Sequence, residues 1–420
     1  MEVSNSFITQ YLAYTANTEP PIFFHRWAAI VGLGSFLGRQ YFFQHGHFNL
    51  HPNVYSMLIG DAGTRKGTAI KMMKMLLSEA GFKKFAAERT SKEKFLLDLA
   101  GETESGLLSP EDLLDQNIFG DGSSRPDCEI FIAIDEFNDF IGNGNIEFIS
   151  MLGNMWDYNG VYENRIKTGK SVQINNPTIS ILGGNTPTGF SLAFPQDILG
   201  QGFFSRLLLV YADRSDRRIT FPKRPDPVET SKLVHTLTQI KSKVYGPAQL
   251  TPGAEHMLDQ IYQAGFHSED PRFISYFNRK FTHLLKLCLI ISASYCSTTI
   301  TEEVVLEAHT LLTYTEQLMP KALGEFGKAK NSDITHKIVQ AFNNSPGQIL
   351  TIKDLWKYVD KDLEKISDLV VLMQNLIQAD KVQQVPGGKG FLPKRRVVDT
   401  AATKFFNPMY LTDEERNVVL

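Results

Sequence analysis

The chain has 420 residues, a formal net charge of −3, 42% hydrophobic and 21% charged residues. That balance belongs to a folded chain of two or three domains with a large core. It excludes a global positive field as the means of holding nucleic acid, so any such contact must come from local basic patches. Three cysteines, Cys128, Cys288 and Cys296, form no close pair, which excludes a zinc motif or disulfide framework and suits buried thiols in a reducing compartment.

The opening MEVSNSFITQ carries neither a basic stretch nor a long apolar run, so no signal peptide is expected. Residues 23–38 are apolar on most faces and read as a partly buried helix, while 40–50 alternate like a strand. VYSMLIG (54–60) reads as a buried strand running into a glycine loop, followed by a helix over 69–79. Residues 80–127 alternate helical segments with polar loops, and 101–126 read as surface loop. EIFIAI (129–134) is a second buried strand, 146–158 a helix, and 160–174 strand, turn, strand with the turn at 167–170. TISIL (178–182) and LLLVY (207–211) are the third and fourth apolar strands.

Four apolar strands separated by helical stretches predict an α/β fold with a mostly parallel sheet flanked by helices. The expected division is a segment 1–50 packing on a core 51–228, a helical lid-like domain 229–328, a small module 331–398 and a tail 399–420. The core closes with a basic, proline-bearing linker at 214–228. The apolar stretch 284–295, interrupted by Lys286, is too short to span a bilayer. The expectation is a soluble cytoplasmic protein without membrane contact.

GDAGTRKGT occupies 60–68. A glycine-rich loop between strand and helix wraps phosphates with backbone N–H groups, and the helix N-terminus adds positive potential. Gly60, Gly63, Thr64 and Lys66 fit the pattern G-x-x-x-x-G-K-[ST], with Lys66 reaching the outer phosphates of ATP. Arg65 stands in place of the second glycine, and Gly67 in place of the hydroxyl that holds Mg2+; Thr68, one residue on, is the candidate substitute. A phosphate loop also needs a strand ending in acid. EIFIAIDEF supplies Asp135 for the magnesium shell and Glu136 to polarise water. GGNT (183–186) places Asn185 at a buried strand end, where a side chain can sense the γ-phosphate. The three signals fall at the carboxyl ends of strands, where open α/β sheets bind ligands. Arg206, just before the fourth strand, reads either as an arginine finger for a neighbouring subunit or as a surface ion pair. Arg279 opens an amphipathic helix and is a candidate second sensor of the γ-phosphate, or else a solvated residue.

The order GDAGTRKGT, EIFIAIDE, ISILGGNT and GFFSR resembles the AAA+ ATPases over residues 20–325. It is most similar to their hexameric helicase branch of superfamily 3 and MCM proteins, including phage and plasmid replicative helicases. The resemblance implies ATP and Mg2+ as cofactors, a homo-oligomeric ring, single-stranded or forked DNA and other replication proteins as partners, and a bacterial host cell. It matches Arg206 to the finger and Arg279 to the second sensor. It also implies a β-hairpin in the central channel, whose slot NRIKTGKSVQI (164–174) occupies with Lys167 and Lys170 at the turn. An ordinary exposed hairpin reads the same way. Residues 331–398 read as three helices, the second capped by Thr351, and a hairpin around Pro-Gly-Gly, resembling a winged helix. Lys381, Lys389, Lys394, Arg395 and Arg396 gather near that wing and suit a DNA phosphate contact, although winged helices also dock proteins. The leading expectation is an ATP-driven helicase or translocase. The alternatives are an ATP-switch loader or clamp with slow hydrolysis, and a DNA-binding adaptor.

Overall fold

The computed structural model describes residues 6–101, 128–142, 144–164, 171–194, 198–199, 202–222, 224–266, 268 and 270–324, and towards the C-terminus 334, 337–338, 341–342, 345, 348–363, 365–378, 382–385, 390–393 and 404–419. Residues 1–326 with 400–420 form one compact unit, and residues 327–399 a second.

Helix α1 (Phe7–Thr15) is capped by Ser6, whose side chain accepts from Thr9 N. Helix α2 (Ile22–Leu37) is buried at every position, as an all-round apolar helix must be. It stops at Gly38, at φ +59°, where a Cβ would collide with the Glu129 carboxylate. Strands β1 (Tyr41–His45) and β2 (Phe48–Leu50) pair as a hairpin apart from the main sheet. The main sheet holds β3 (Tyr55–Ile59), β4 (Glu129–Ile134), β7 (Thr178–Asn185) and β8 (Leu207–Tyr211), all parallel, in the spatial order β4-β7-β3-β8. Strands β5 (Val161–Asn164) and β6 (Val172–Asn175) pair antiparallel as a separate hairpin, and its turn, with Lys167 and Lys170, lies outside the described residues.

Helix α3 (Lys66–Glu79) follows β3 and packs between α2 and the sheet. It begins three residues earlier than the apolar period alone suggests, because Lys66 already has helical backbone. Helix α4 (Lys92–Leu99) packs on β6, and α5 (Phe137–Ile141) and α6 (Ile146–Asn154) follow β4. β7 runs three residues past the apolar stretch, through Gly183, Gly184 and Asn185. Helix α7 (Pro187–Ala193) then starts at Thr186.

Residues 229–326 are not a compact body separate from the core. Helices α8 (Pro227–Lys243), α9 (Pro252–Gln263), α10 (Ile274–Phe277), α11 (Lys280–Ser294) and α12 (Glu302–Leu323) follow in order, and α12 packs along β8. The residues after 403 are no free tail either. They return to the larger unit, where Glu415 takes a two-pronged bond from Arg26 at 2.6 Å. Both side chains are buried, so the pair ties the last helix (Asp413–Val419) to α2.

The smaller unit has its own core, including Ile338, Leu355, Leu369, Met373, Val382 and Phe391. Helix Ile352–Val359 starts with the expected Thr351 cap, completed as a capping box by Asp354. Helix Ile366–Gln378 follows, then an antiparallel pair, Val382–Gln384 with Phe391–Pro393, which Leu350 extends through a bridge to Phe391. Lys381, Lys389, Lys394, Arg395 and Arg396 lie outside the described residues. Among the described residues no helix is long and apolar enough to cross a membrane.

Candidate functional site

The connections of the sheet leave β3 and β7 in opposite directions, towards β4 on one side and β8 on the other. Such a reversal opens a crevice at the carboxyl ends of the strands. Three sequence-predicted elements meet there. Ile59 pairs with Asn185 across β3 and β7, and Ile134 pairs with Gly183 across β4 and β7. The loop 60–65, the pair Asp135–Glu136 and Asn185 therefore share one edge.

The loop is wound by two left-handed residues, Gly63 at φ +86° and Arg65 at φ +62°. Glycine takes that conformation freely, whereas an arginine pays about 1 kcal/mol or more for it. Arg65 Nε bonds Glu19 Oε2 at 2.7 Å, and Glu19 also accepts from Ile219 N at 3.0 Å. The loop before α2 thus links the loop 60–65 to the linker after β8. Lys66 opens α3 and is buried, and its ammonium turns back over the loop. It donates to Gly60 O at 2.7 Å, Asp61 O at 3.1 Å and Thr64 Oγ1 at 3.1 Å. Burial pulls its pKa down, while Glu136, Asp135 and Asp61 nearby oppose the shift. Thr64 is buried and donates to Asp61 O at 2.9 Å. Thr68 is exposed on the first turn of α3.

Gly67 faces Asp135 so closely that a Cβ there would collide with both carboxylate oxygens. Glu136 precedes α5 and is exposed. Asn185 is buried, with its amide fixed: Nδ2 donates to Asn138 Oδ1 at 2.7 Å and Oδ1 accepts from Thr186 N at 2.9 Å. Asn138 in turn donates to Gly189 O at 2.8 Å. Sequence reading passed over Asn138; the signal for it was a polar residue set among the apolar positions of IDEFNDFI.

The two arginines lie elsewhere. β8 begins at Leu207, paired with Tyr55, the first residue of β3. Arg206 therefore sits at the amino end of the sheet, roughly 15 Å along the strand from the loop. Its guanidinium bonds Gly202 O and lies 5.9 Å from the Trp156 ring, while Nε has no partner among the described residues. Burial, then the charge of Arg279, lowers its pKa, against Asp157 and Tyr55. Arg279 is thus beside Arg206 and not at the loop of its own chain. The reason is the packing of α11: His283 faces Ser205 O at 3.1 Å and Lys286 faces residues 51–53. Both contacts hold the start of that helix at the amino ends of the strands.

Lys286, which interrupts the apolar run, is fully buried there. It gives its three protons to His51 O, Asn53 Oδ1 and Asp157 Oδ1 at 2.7–2.8 Å. Asn53 completes the network by donating to Trp156 O and Ile179 O.

Among the described residues no group of three or more His, Cys, Asp or Glu side chains could hold a metal ion. Mg2+ needs less from a protein where phosphate is present, since one or two carboxylates with phosphate oxygens and water suffice. Asp135 beside the first turn of α3 fits that requirement. No family model and no curated protein sequence matches the chain.

Proposed function

We propose that the larger unit is a P-loop ATPase core of the AAA+ kind, and that the chain is a ring-forming, ATP-driven DNA helicase or translocase of a phage or mobile-element replication system. The observation that carries the reading is the meeting of Lys66, Asp135–Glu136 and Asn185 at the carboxyl edge of one parallel sheet. In it, the loop N–H groups and Lys66 hold the phosphates of ATP, and Asp135 holds Mg2+, which stabilises charge on the transferred phosphoryl group. Glu136 polarises water, and Asn185 reports the γ-phosphate.

Arg206 and Arg279 stand at the other end of the same strands, out of reach of their own loop. A head-to-tail contact between copies brings one subunit's amino edge to the next one's carboxyl edge, and such contacts close into rings. In this reading both arginines serve the neighbour's nucleotide. The smaller unit's two described helices and antiparallel pair support a winged-helix reading. The DNA contacts proposed for Lys167, Lys170, Lys389, Arg395 and Arg396 rest on the sequence alone.

The test is strand displacement on 5′- and 3′-tailed forks, beside size analysis with and without ATP. ATP-dependent unwinding of one fork and ATP-stabilised oligomers are expected, both lost in Lys66→Ala. Full unwinding by Lys66→Ala would sink the reading. One observation favours the slow ATP-switch alternative: the Asn185 amide is already engaged by Asn138 and Thr186. Turnover that single-stranded DNA does not stimulate, with no strand displacement, would select it.

A further inference from the structure

Position 67 departs from the usual phosphate-loop pattern, and its surroundings give the departure a use. Gly67 is the second residue of the 14-residue helix α3. A Cβ there would collide with Oδ1, Cγ and Oδ2 of Asp135. On the opposite side, a Cβ on Gly184 of β7 would collide with the carbonyl oxygen of Asp135 and come within 3.4 Å of its Oδ1. Asp135 is therefore wedged between two backbones that approach it only because neither residue has a side chain. Its carboxylate makes no hydrogen bond or ion pair among the described residues, and it lies half-buried at the positive end of α3. Lys66, one residue before Gly67, has its ammonium on neutral loop oxygens.

We propose that Asp135, seated in the space that a side chain at position 67 would fill, ligates the divalent cation of the bound nucleotide directly, in the role that a hydroxyl after the lysine has in the usual pattern. Gly67 is then a requirement of the site, and restoring the hydroxyl damages it. A carboxylate there brings a full negative charge to a hard cation where a hydroxyl brings none. It also leaves Glu136, exposed beside it, to act on water. The inference rests on the nucleotide-binding reading of the loop.

The test measures binding of a fluorescent ATP analogue to the full chain, once in EDTA and once in saturating Mg2+. The quantity compared is the ratio of the two affinities for each protein, so a general loss of nucleotide affinity cancels. Magnesium is expected to tighten binding to the wild type by about tenfold or more. Gly67→Ser and Asp135→Asn are both expected to bring the ratio near one. A Gly67→Ser ratio equal to or above that of the wild type overturns the proposal, as does a wild-type ratio in Asp135→Asn. If Gly67→Ser fails to fold, judged by its thermal melt, Asp135→Asn decides alone, because it changes no volume. Failure of the underlying reading looks different: the wild type binds the analogue in neither condition, or Lys66→Ala binds it as well as the wild type, and the inference falls with it.

Discussion

Two buried lysines, Lys66 and Lys286, occupy opposite ends of the same sheet, and each donates to three oxygens. Lys286 meets a carbonyl, an amide and the Asp157 carboxylate, and its ammonium lies 4.7 Å from the Trp156 ring. Its charge is neutralised where it stands. Lys66 meets two carbonyls and a hydroxyl of its own loop, all neutral. Burial lowers the pKa of both, and carboxylates oppose the shift in both, by contact at Lys286 and through space at Lys66. Burial alone therefore does not mark a functional lysine. The acceptors do: an ammonium resting on neutral oxygens is available to an anion, while an ion-paired one is a tie between elements.

The largest expected effect is at the tie. Lys286→Met leaves Asp157 and two further acceptors without their proton donor. Breaking a buried pair costs about 3–5 kcal/mol, and the partial exposure of Asp157 puts this case near the lower end. Chemical denaturation measures it. Lys66→Met should change stability by less than about 1 kcal/mol, yet weaken nucleotide binding about 100-fold, equivalent to about 2.7 kcal/mol. Equal stability losses in the two variants would break the comparison.

A smaller effect comes from His283, which packs within the amino-end network. Burial holds its pKa down at about 4, helped by Lys286 and Arg279. The unfolded chain takes the proton first, so this contribution is complete above pH 6.5 and is lost as pH falls towards 4. The loss should be about 2 kcal/mol at pH 5. His283→Gln, which keeps a donor for Ser205 O, should flatten that part of the pH–stability curve; an unchanged slope would assign it to other groups.

The smallest effect concerns Arg65. Arg65→Gly relieves the left-handed strain but loses an exposed bond to Glu19, for a gain of up to about 1 kcal/mol. A loss in the thermal melt would mean that the Glu19 contact outweighs the strain.

Much of the candidate site was legible from local pattern. The strands Glu129–Ile134 and Leu207–Tyr211 lie where the apolar runs place them, the loop 60–65 follows its strand, and Asn185 stands at a strand end as expected. Buried parallel strands are short apolar runs with turn residues at their ends, and both signals are written within a few residues of sequence. The Thr351 cap is local in the same way.

Other facts depend on partners far away in the chain. Arg279 reads either as a second sensor, as the resemblance implies, or as a solvated residue, but the packing of His283 and Lys286 holds it at the amino end of the strands. Lys286 reads as a break in an apolar stretch until His51, Asn53 and Asp157 close around it. Residues 399–420 read as a tail until Glu415 meets Arg26. Gly67 reads as a missing hydroxyl until Asp135 is found in the space it leaves. The sequence by itself determined the parallel α/β core, the loop and the order of the strand ends, because hydrophobic period and turn chemistry act over neighbouring residues. Only the tertiary structure decided which buried charges are neutralised and which remain available, because that depends on groups brought together by packing across hundreds of residues.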